Sequence, residues 1–241
     1  MRDEERRALL AEVGRRLKRR FGPRKFSLRE NPLESLVWTV LTQNTTDLTA
    51  DRAYRELRRR FPRWERVLAA PRAEVESAIR VCGLARQKAR TIQEFLKRLA
   101  ASRLPPTAYR LSLAFLRRLP PAEAMAWLTA SPGIGTKTAA VVLLFACGQP
   151  LFPVDTHIRR VAGRLGLAPE GAPAYKVQEI LQPLAPHSAA ACAQLHLDLI
   201  RLGREICVAR GPRCPICPLR NMCRSARRFG PRLTLIATPP L

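Results

Sequence analysis

Apolar residues recur at helical spacing along almost the whole chain, and no segment shows the strict alternation that is typical of strands. Asn31 followed by Pro32 is a typical helix start, Asp47 is placed to cap the next helix, and Pro71 opens a third. The same spacing predicts further helices at residues 3–20, 85–101, 107–118, 121–130, 136–147, 156–167, 174–185 and 187–205. We therefore expect an all-α fold.

Composition and charge narrow the range of functions that this protein can have. The chain has 241 residues, of which 46% are hydrophobic, enough for a sizeable core. A formal net charge of +24 favours a polyanionic partner, nucleic acid first, although heat adaptation can also enrich a protein in arginine. No segment reaches the roughly 18 apolar residues needed to cross a bilayer. We expect a monomer without a membrane partner, in the cytoplasm and associated with the nucleoid if the cell is bacterial.

A short turn with two glycines joins two helical patterns at residues 131–136. Gly133 and Gly135 remove side-chain bulk, so backbone N–H groups at the start of the next helix can bind a phosphate, aided by the helix dipole. The spacing of the glycines, and the helix before them, exclude a nucleotide-binding P-loop. The alternative is an ordinary corner between helices that carries a surface lysine, Lys137.

Asp155 follows Lys137 by 18 residues. The intervening helix spans roughly 16 Å, and the loop after it is long enough to return alongside. The two side chains can therefore face each other. Asp155 also precedes a helical pattern, so a helix N-cap is an alternative role for it.

Four of the seven cysteines fall within 17 residues: Cys207, Cys214, Cys217 and Cys223. The odd total and this crowding suit a reducing compartment and a metal centre better than disulfides. Zinc and an iron–sulfur cluster both accept four thiolates. Arg210 and Arg213 lie in the same loop and make a basic surface suited to a nucleic-acid backbone. Cys82, Cys147 and Cys192 lie in apolar helices and are expected in the core.

Three motifs in one order resemble the helix-hairpin-helix DNA glycosylases, and the endonuclease III family most closely. They are Pro-Gly-Ile-Gly-Thr-Lys-Thr-Ala at 132–139, Val-Asp-Thr-His at 154–157 and the cysteine pattern. The resemblance covers about residues 30–225. It implies a six-helix barrel domain at 27–149, with the helix-hairpin-helix at about 122–147, and an iron–sulfur cluster domain made of 1–26 and 150–225. Residues 226–241 are expected to form a tail.

This resemblance implies a base-excision repair enzyme for double-stranded DNA. It would remove damaged, oxidised pyrimidines and cleave the strand at the abasic site by β-elimination. Lys137 would be the nucleophile, Asp155 the essential carboxylate, and the four clustered cysteines the ligands of a [4Fe-4S] cluster. The alternatives are a monofunctional mismatch or adenine glycosylase, whose families generally lack a lysine at this position, and a catalytically idle DNA-binding relative.

The resemblance also implies that Gly133, Gly135, Thr138 and His157 contact DNA. Leu84 would wedge into the base stack, unless it is an ordinary residue that packs on its own helix.

The gap left by an extruded base would be filled by Gln43 or Asn44, and alignment on Asp47 favours Asn44. Two positions depart from the family pattern. Ala85 replaces a larger residue, which leaves the pocket shape and substrate range open, and Ser131 replaces an apolar residue of the hairpin.

Overall fold

The computed structural model describes residues 2–29, 31–102 and 111–229. Within these ranges every regular element is helical, which confirms the predicted all-α class. The α-helices are α1 Asp3–Phe21, α2 Pro32–Leu41, α3 Asp47–Arg60, α4 Trp64–Ala69, α5 Arg72–Ala78, α6 Ala85–Ala101, α7 Pro121–Thr129, α8 Thr136–Cys147, α9 Thr156–Leu165, α10 Ala174–Leu181, α11 Ala189–Glu205 and α12 Ala226–Phe229. Short 3-10 helices cover Arg80–Cys82, Ala114–Arg117, Gln182–Leu184, Cys214–Ile216 and Arg220–Met222.

The described residues divide into two compact units. We call Lys25–Pro153 with Pro186–Ala193 the hairpin unit. The cysteine unit comprises the described residues of Met1–Arg24, Val154–Ala185 and Gln194–Leu241. The domain boundaries predicted after residues 26 and 149 differ from these by two and four residues, and the prediction assigned 186–193 to the other domain.

Helix α8 is the central helix of the hairpin unit. Its residues from Thr138 to Leu144 are all buried, which marks a helix surrounded by protein on every side. Helix α2 packs along it, and α7 precedes it in the hairpin. The first turn of α8 is therefore fixed by a well-packed helix.

Local capping explains where two helices of this unit begin. The N–H of Leu33 donates to Oδ1 of Asn31 (2.9 Å), and Pro32 is the first residue of α2, as predicted. The cap of α3 is Thr46 and not Asp47: the Thr46 backbone is extended, and its Oγ1 accepts from the N–H of Thr49 (3.2 Å). Asp47 is instead the first helical residue.

The predicted helix at 107–118 lies partly outside the described residues. Its last eight residues, 111–118, contain only the 3-10 helix Ala114–Arg117.

The cysteine unit is held together by the buried face of α1 and by a buried ion pair. Asp198 of α11 is 1% exposed, and its carboxylate accepts from the Arg24 guanidinium (2.9 Å) and the Gln194 amide (2.6 Å). The segment that follows α1 is thus fixed to α11. At the other end of the chain, the predicted tail begins with the helix Ala226–Phe229, whereas residues 230–241 lie outside the described part.

Candidate active site and nucleic-acid interface

The turn between α7 and α8 is a tightly packed hairpin. Gly133 has φ +84, a conformation that L side chains rarely adopt. A Cβ there would lie 2.5 Å from Oγ1 and 2.8 Å from Cγ2 of Thr91, a buried residue of α6. Backbone conformation and packing both require glycine at this position.

Gly135 is a glycine for another reason. It is the N-cap of α8 with φ −85 and ψ 173, which any residue can adopt, and a Cβ there would meet nothing within 4 Å. Its lack of a side chain leaves the first N–H groups of α8 without a side-chain cap. An external phosphate can therefore approach this helix start.

Lys137 lies in the first turn of α8 with a half-buried side chain. The next residue, Thr138, is only 4% exposed. The Gln43 amide donates to Oγ1 of Thr138 and to the carbonyl of Gly133, both at 3.4 Å. The side chain of Thr138 therefore packs inside the hairpin unit. The DNA contact predicted for this residue stays a prediction.

Ser131, which departs from the pattern of the resembled family, has a polar partner. The residue is 2% exposed, and its Oγ accepts from the guanidinium of Arg98 (2.5 Å). The same guanidinium lies 4.3 Å from the centroid of the Trp127 ring. A buried hydroxyl is tolerated when it is hydrogen-bonded, so this pair replaces the expected apolar contact.

Two exposed residues, Asn44 and Leu84, share an unusual backbone. Among the described residues, they are the two non-glycine residues with positive φ, at 53° and 49°. Such conformations cost free energy and occur often at functional sites. Leu84 is 52% exposed, although its side chain is apolar. Gln43 is directed to the hairpin instead, so of the two amides predicted to fill the gap, Asn44 is the exposed one.

Asp155 is the N-cap of α9. Its Oδ1 accepts from the N–H of Ile158 (2.8 Å), which confirms the capping interpretation. The cap uses one carboxylate oxygen, so it is compatible with a second role. Asp155 belongs to the cysteine unit and Lys137 to the hairpin unit. Their predicted pairing stays a prediction.

Two arginines of α9 bind the chain around the first clustered cysteine, and neither is predicted by the sequence motifs. Arg160 donates to the carbonyls of Cys207 (2.9 Å) and Gly203 (2.8 Å). Arg164 donates to the carbonyl of Val208 (2.8 Å) and contacts the sulfur of Cys207 (3.3 Å). Their spacing of four residues on one helix face is the signal that sequence offers.

His157 lies beside these arginines. The Nδ1 of His157 is 3.1 Å from the Arg160 guanidinium. His157 also packs tightly against Gly203: a Cβ added at Gly203 would lie 2.7 Å from the Cβ of His157. The DNA contact predicted for His157 stays a prediction.

The four clustered cysteines line one cavity, together with Arg164 and Phe229. They are half-buried, and none of the seven cysteines, all of which are described, forms a disulfide. Burial raises the pKa of the Cys217 thiol to about 11. No three His, Cys, Asp or Glu side chains in the described ranges are grouped as a site for a single metal ion.

The remaining cysteines and the basic loop residues have contrasting environments. Cys82 and Cys192 are buried, as predicted, and Cys147 is half-buried with a pKa raised to about 11 by burial. Arg210 and Arg213, in the loop after the first clustered cysteine, are exposed.

None of the described helices has both the length and the apolar character that spanning a membrane requires.

Comparison with known proteins gives consistent matches. Residues 37–187 match the model of the HhH-GPD superfamily of base excision DNA repair proteins. Endonuclease III of Bacillus subtilis is 32% identical over 201 residues, which are 82% of this chain and 83% of that protein. A candidate DNA glycosylase of Arabidopsis thaliana is 41% identical over 143 residues, 59% of this chain, and the match spans 47% of that protein. A solved structure of a trapped covalent endonuclease III–DNA intermediate matches with a TM-score of 0.74 and 30% identity, over 95% of this chain and 98% of that one.

Proposed function

Because this chain belongs to the HhH-GPD superfamily of base excision DNA repair proteins, we propose that it is a DNA glycosylase with AP lyase activity, acting on oxidised pyrimidines in double-stranded DNA. Membership in this family confirms the resemblance drawn from the motifs. The observation that carries the proposal is the amine of Lys137 in the first turn of α8, behind an N-cap that leaves the helix start open. A covalent intermediate, such as the one trapped for endonuclease III, requires a nucleophile of this kind.

The chemistry that we propose uses the neutral amine of Lys137. The amine attacks C1′ of the damaged nucleotide, and the bond from C1′ to the base breaks, so that the base leaves with the electron pair and takes up a proton. The sugar ring then opens: the C1′–O4′ bond breaks, O4′ takes up a proton and the nitrogen loses one, which leaves a Schiff base between Lys137 and C1′. This Schiff base acidifies the C2′ proton. Removal of this proton expels the 3′ phosphate by β-elimination, and hydrolysis then returns the free lysine.

Asp155 is the carboxylate of the proposed reaction. A carboxylate near the sugar stabilises the positive charge that develops there and assists proton transfer, as carboxylates do at other glycosidic bonds. The hydrogen bond from Ile158 holds this carboxylate in one orientation. Capping therefore positions the group for catalysis.

The target nucleotide must leave the stack before its C1′ can be attacked. We assign gap filling to Asn44 and the wedge to Leu84, because both are exposed and both have a strained backbone. Gly133 and Gly135 shape the hairpin so that the first N–H groups of α8 bind a backbone phosphate.

The cysteine cavity fits an iron–sulfur cluster, because four cysteine side chains from one loop region line it and would bind a cluster as thiolates. Cys207, Cys214, Cys217 and Cys223 would hold a [4Fe-4S] cluster. Zinc is the less favoured alternative, because the described cysteines are not grouped around the position of a single metal ion. The cluster would cross-link the loop that carries Arg210 and Arg213 and so stiffen a basic surface for phosphates. Thiolate ligation and a DNA substrate both favour the reducing cytoplasm, at the nucleoid in a bacterium.

Borohydride trapping tests the proposed function. Borohydride reduces a Schiff base to a stable covalent bond, so the wild-type protein should form a covalent complex with an abasic duplex and Lys137→Gln should not. Lys137→Gln should keep its helical circular dichroism and its DNA affinity, which shows that only the nucleophile is lost. If the wild-type protein binds DNA but neither forms the covalent complex nor releases a base, it is a catalytically idle relative. If it releases the base but forms no covalent complex, it is a monofunctional glycosylase.

The lesion is tested separately with a panel of duplexes that each contain one modified base. Faster release of oxidised pyrimidines than of mismatched thymine or adenine is the expected result. The opposite order would overturn the substrate assignment while leaving the lyase chemistry intact.

A further inference from the structure

The loops that carry Asn44 and Leu84 share a buried partner, Lys88. We call Thr42–Thr46 and Gly83–Leu84 the intrusion loops. Lys88 lies in the first turn of α6 and is 2% exposed. Its Nζ donates to the carbonyl of Leu41 (2.8 Å) and to the carbonyl of Cys82 (2.9 Å). Each carbonyl belongs to the residue immediately before one intrusion loop.

The two carbonyls need such a donor. Leu41 is the last residue of α2, and Cys82 is the last residue of a 3-10 helix. Carbonyls at helix C-terminal ends lack intrahelical partners, and at Leu41 the negative end of the α2 dipole also attracts a cation. Both residues are buried, so water does not replace Lys88 easily. One ammonium group therefore fixes the spacing between the starting points of the two loops.

The hairpin unit contains two comparable contacts that do not involve the intrusion loops. The Gln93 amide, also on α6, donates to the carbonyls of Val67 (3.1 Å) and Ala70 (2.9 Å). The Gln149 amide donates to the carbonyls of Leu116 and Leu119. A neutral amide is thus sufficient to bridge two carbonyls in this unit. Burying a lysine for this purpose is more costly in desolvation and gives stronger, charge-assisted hydrogen bonds.

We infer that Lys88 is a positioning residue for base extrusion: it holds both intrusion loops in the one arrangement in which Asn44 and Leu84 enter the duplex together. Lys88 is buried and does not itself contact the substrate. Without Lys88, the Leu41 and Cys82 carbonyls would no longer be joined, and the separation between the two intrusion loops would no longer be fixed. This inference rests on the proposed function only in that the loops enter DNA, and not on the chemistry of Lys137.

The test measures loop entry without chemistry. The full-length protein, purified with its native metal content, is saturated with a duplex that carries a tetrahydrofuran abasic analogue opposite 2-aminopurine. Insertion of the loops unstacks 2-aminopurine and raises its fluorescence, while fluorescence anisotropy of a labelled copy of the duplex gives the affinity. The variant is Lys88→Met, which keeps an unbranched apolar side chain and removes the donors.

Wild type should give a large rise in fluorescence. Lys88→Met should reduce that rise at saturation by about threefold or more, because two charge-assisted bonds are lost, while affinity from phosphate contacts changes less. The matched control is Gln93→Met, which removes a bridging donor from the same helix and should leave the rise unchanged. If Lys88→Met does not fold, Lys88→Gln, which keeps N–H donors on a shorter neutral side chain, should give a partial reduction.

Three results would overturn the inference: a wild-type rise that survives in the folded Lys88 variants, an equal loss in Gln93→Met, or wild type that binds the duplex without any rise. Failure of the proposed function has a different signature. Borohydride trapping would then fail in wild type while the dependence of fluorescence on Lys88 persisted.

Discussion

The two hairpin glycines offer a direct test, because the structure assigns them opposite reasons for being glycine. Gly133→Ala places a methyl group at φ +84 and against Thr91. Gly135→Ala places the same methyl group at an ordinary φ, with nothing within 4 Å. The first change should destabilise the protein, whereas the second should weaken DNA binding alone.

For Gly133→Ala two costs add. The left-handed backbone costs alanine about 1–2 kcal/mol relative to glycine. The contact with Thr91 adds about 1–3 kcal/mol, typical of overpacking, because a β-branched side chain has few rotamers into which it can move. We expect a total loss of about 2–5 kcal/mol in the free energy of unfolding.

For Gly135→Ala two small terms oppose each other. Alanine restricts the unfolded chain and so stabilises the fold by about 0.4–1 kcal/mol. Alanine is also a poorer N-cap than glycine, at a cost of similar size, about 0.5–1 kcal/mol. The free energy of unfolding should therefore stay within about 1 kcal/mol of wild type, while the methyl group obstructs the phosphate at the start of α8.

Urea unfolding followed by circular dichroism measures stability, and fluorescence anisotropy with an abasic duplex measures affinity. Adding Thr91→Ala removes the two nearest atoms, Oγ1 and Cγ2, and keeps only Cβ at 3.2 Å, so Gly133→Ala should cost less in that background. Equal losses of stability in Gly135→Ala and Gly133→Ala would refute the opposite roles of the two glycines, as would wild-type DNA affinity in Gly135→Ala. An unchanged cost in the Thr91→Ala background would refute the packing argument alone.

Four further predictions follow. Asp155→Asn should keep the cap of α9, because Asn caps about as well as Asp, but the variant should no longer remove the base. If stability and base removal fell together, Asp155 would have a capping role only. Ser131→Ala removes the acceptor of Arg98 and should lower the free energy of unfolding in urea by about 1–3 kcal/mol. Adding Arg98→Met should restore part of this loss, and an unchanged unfolding midpoint in Ser131→Ala would contradict the pairing. Cys217→Ser should abolish the visible absorption of the cluster and its iron, and stoichiometric zinc in anaerobically purified wild type would refute the cluster. DNA affinity should fall about 10³–10⁵-fold between about 50 and 200 mM salt, and a flat response would exclude binding dominated by phosphates.

Much of this protein can be predicted from local sequence. Helical periodicity gave the fold class, and α8 begins and ends where the pattern predicted. Asn31 and Asp155 cap their helices as expected, because a cap joins a side chain to a backbone N–H only two or three residues away. The lysine of the hairpin and the cysteine pattern are likewise matters of residue type and spacing along the chain.

Other features depended on distances that spacing does not encode. Whether Thr46 or Asp47 caps α3 depended on which residue adopts the extended backbone. Gln43 and Asn44 are neighbours with similar side chains, and only the packing of the hairpin directs one inward and leaves the other exposed. Similarly, the sequence shows Ser131 only as a polar residue at an apolar position, and the tertiary structure supplies its hydrogen-bond partner, Arg98.

The sequence by itself determined most of the helices, the family and the residue types that the chemistry needs, because these follow from interactions among near neighbours and from motif order. It did not predict α4, and only a 3-10 helix lies in the described part of 107–118. Only the tertiary structure decided why Gly133 must be glycine and why Lys88 is buried. Both depend on groups that lie 42 and 47 residues away in the chain, Thr91 and the Leu41 carbonyl, which packing of the helices brings within contact distance.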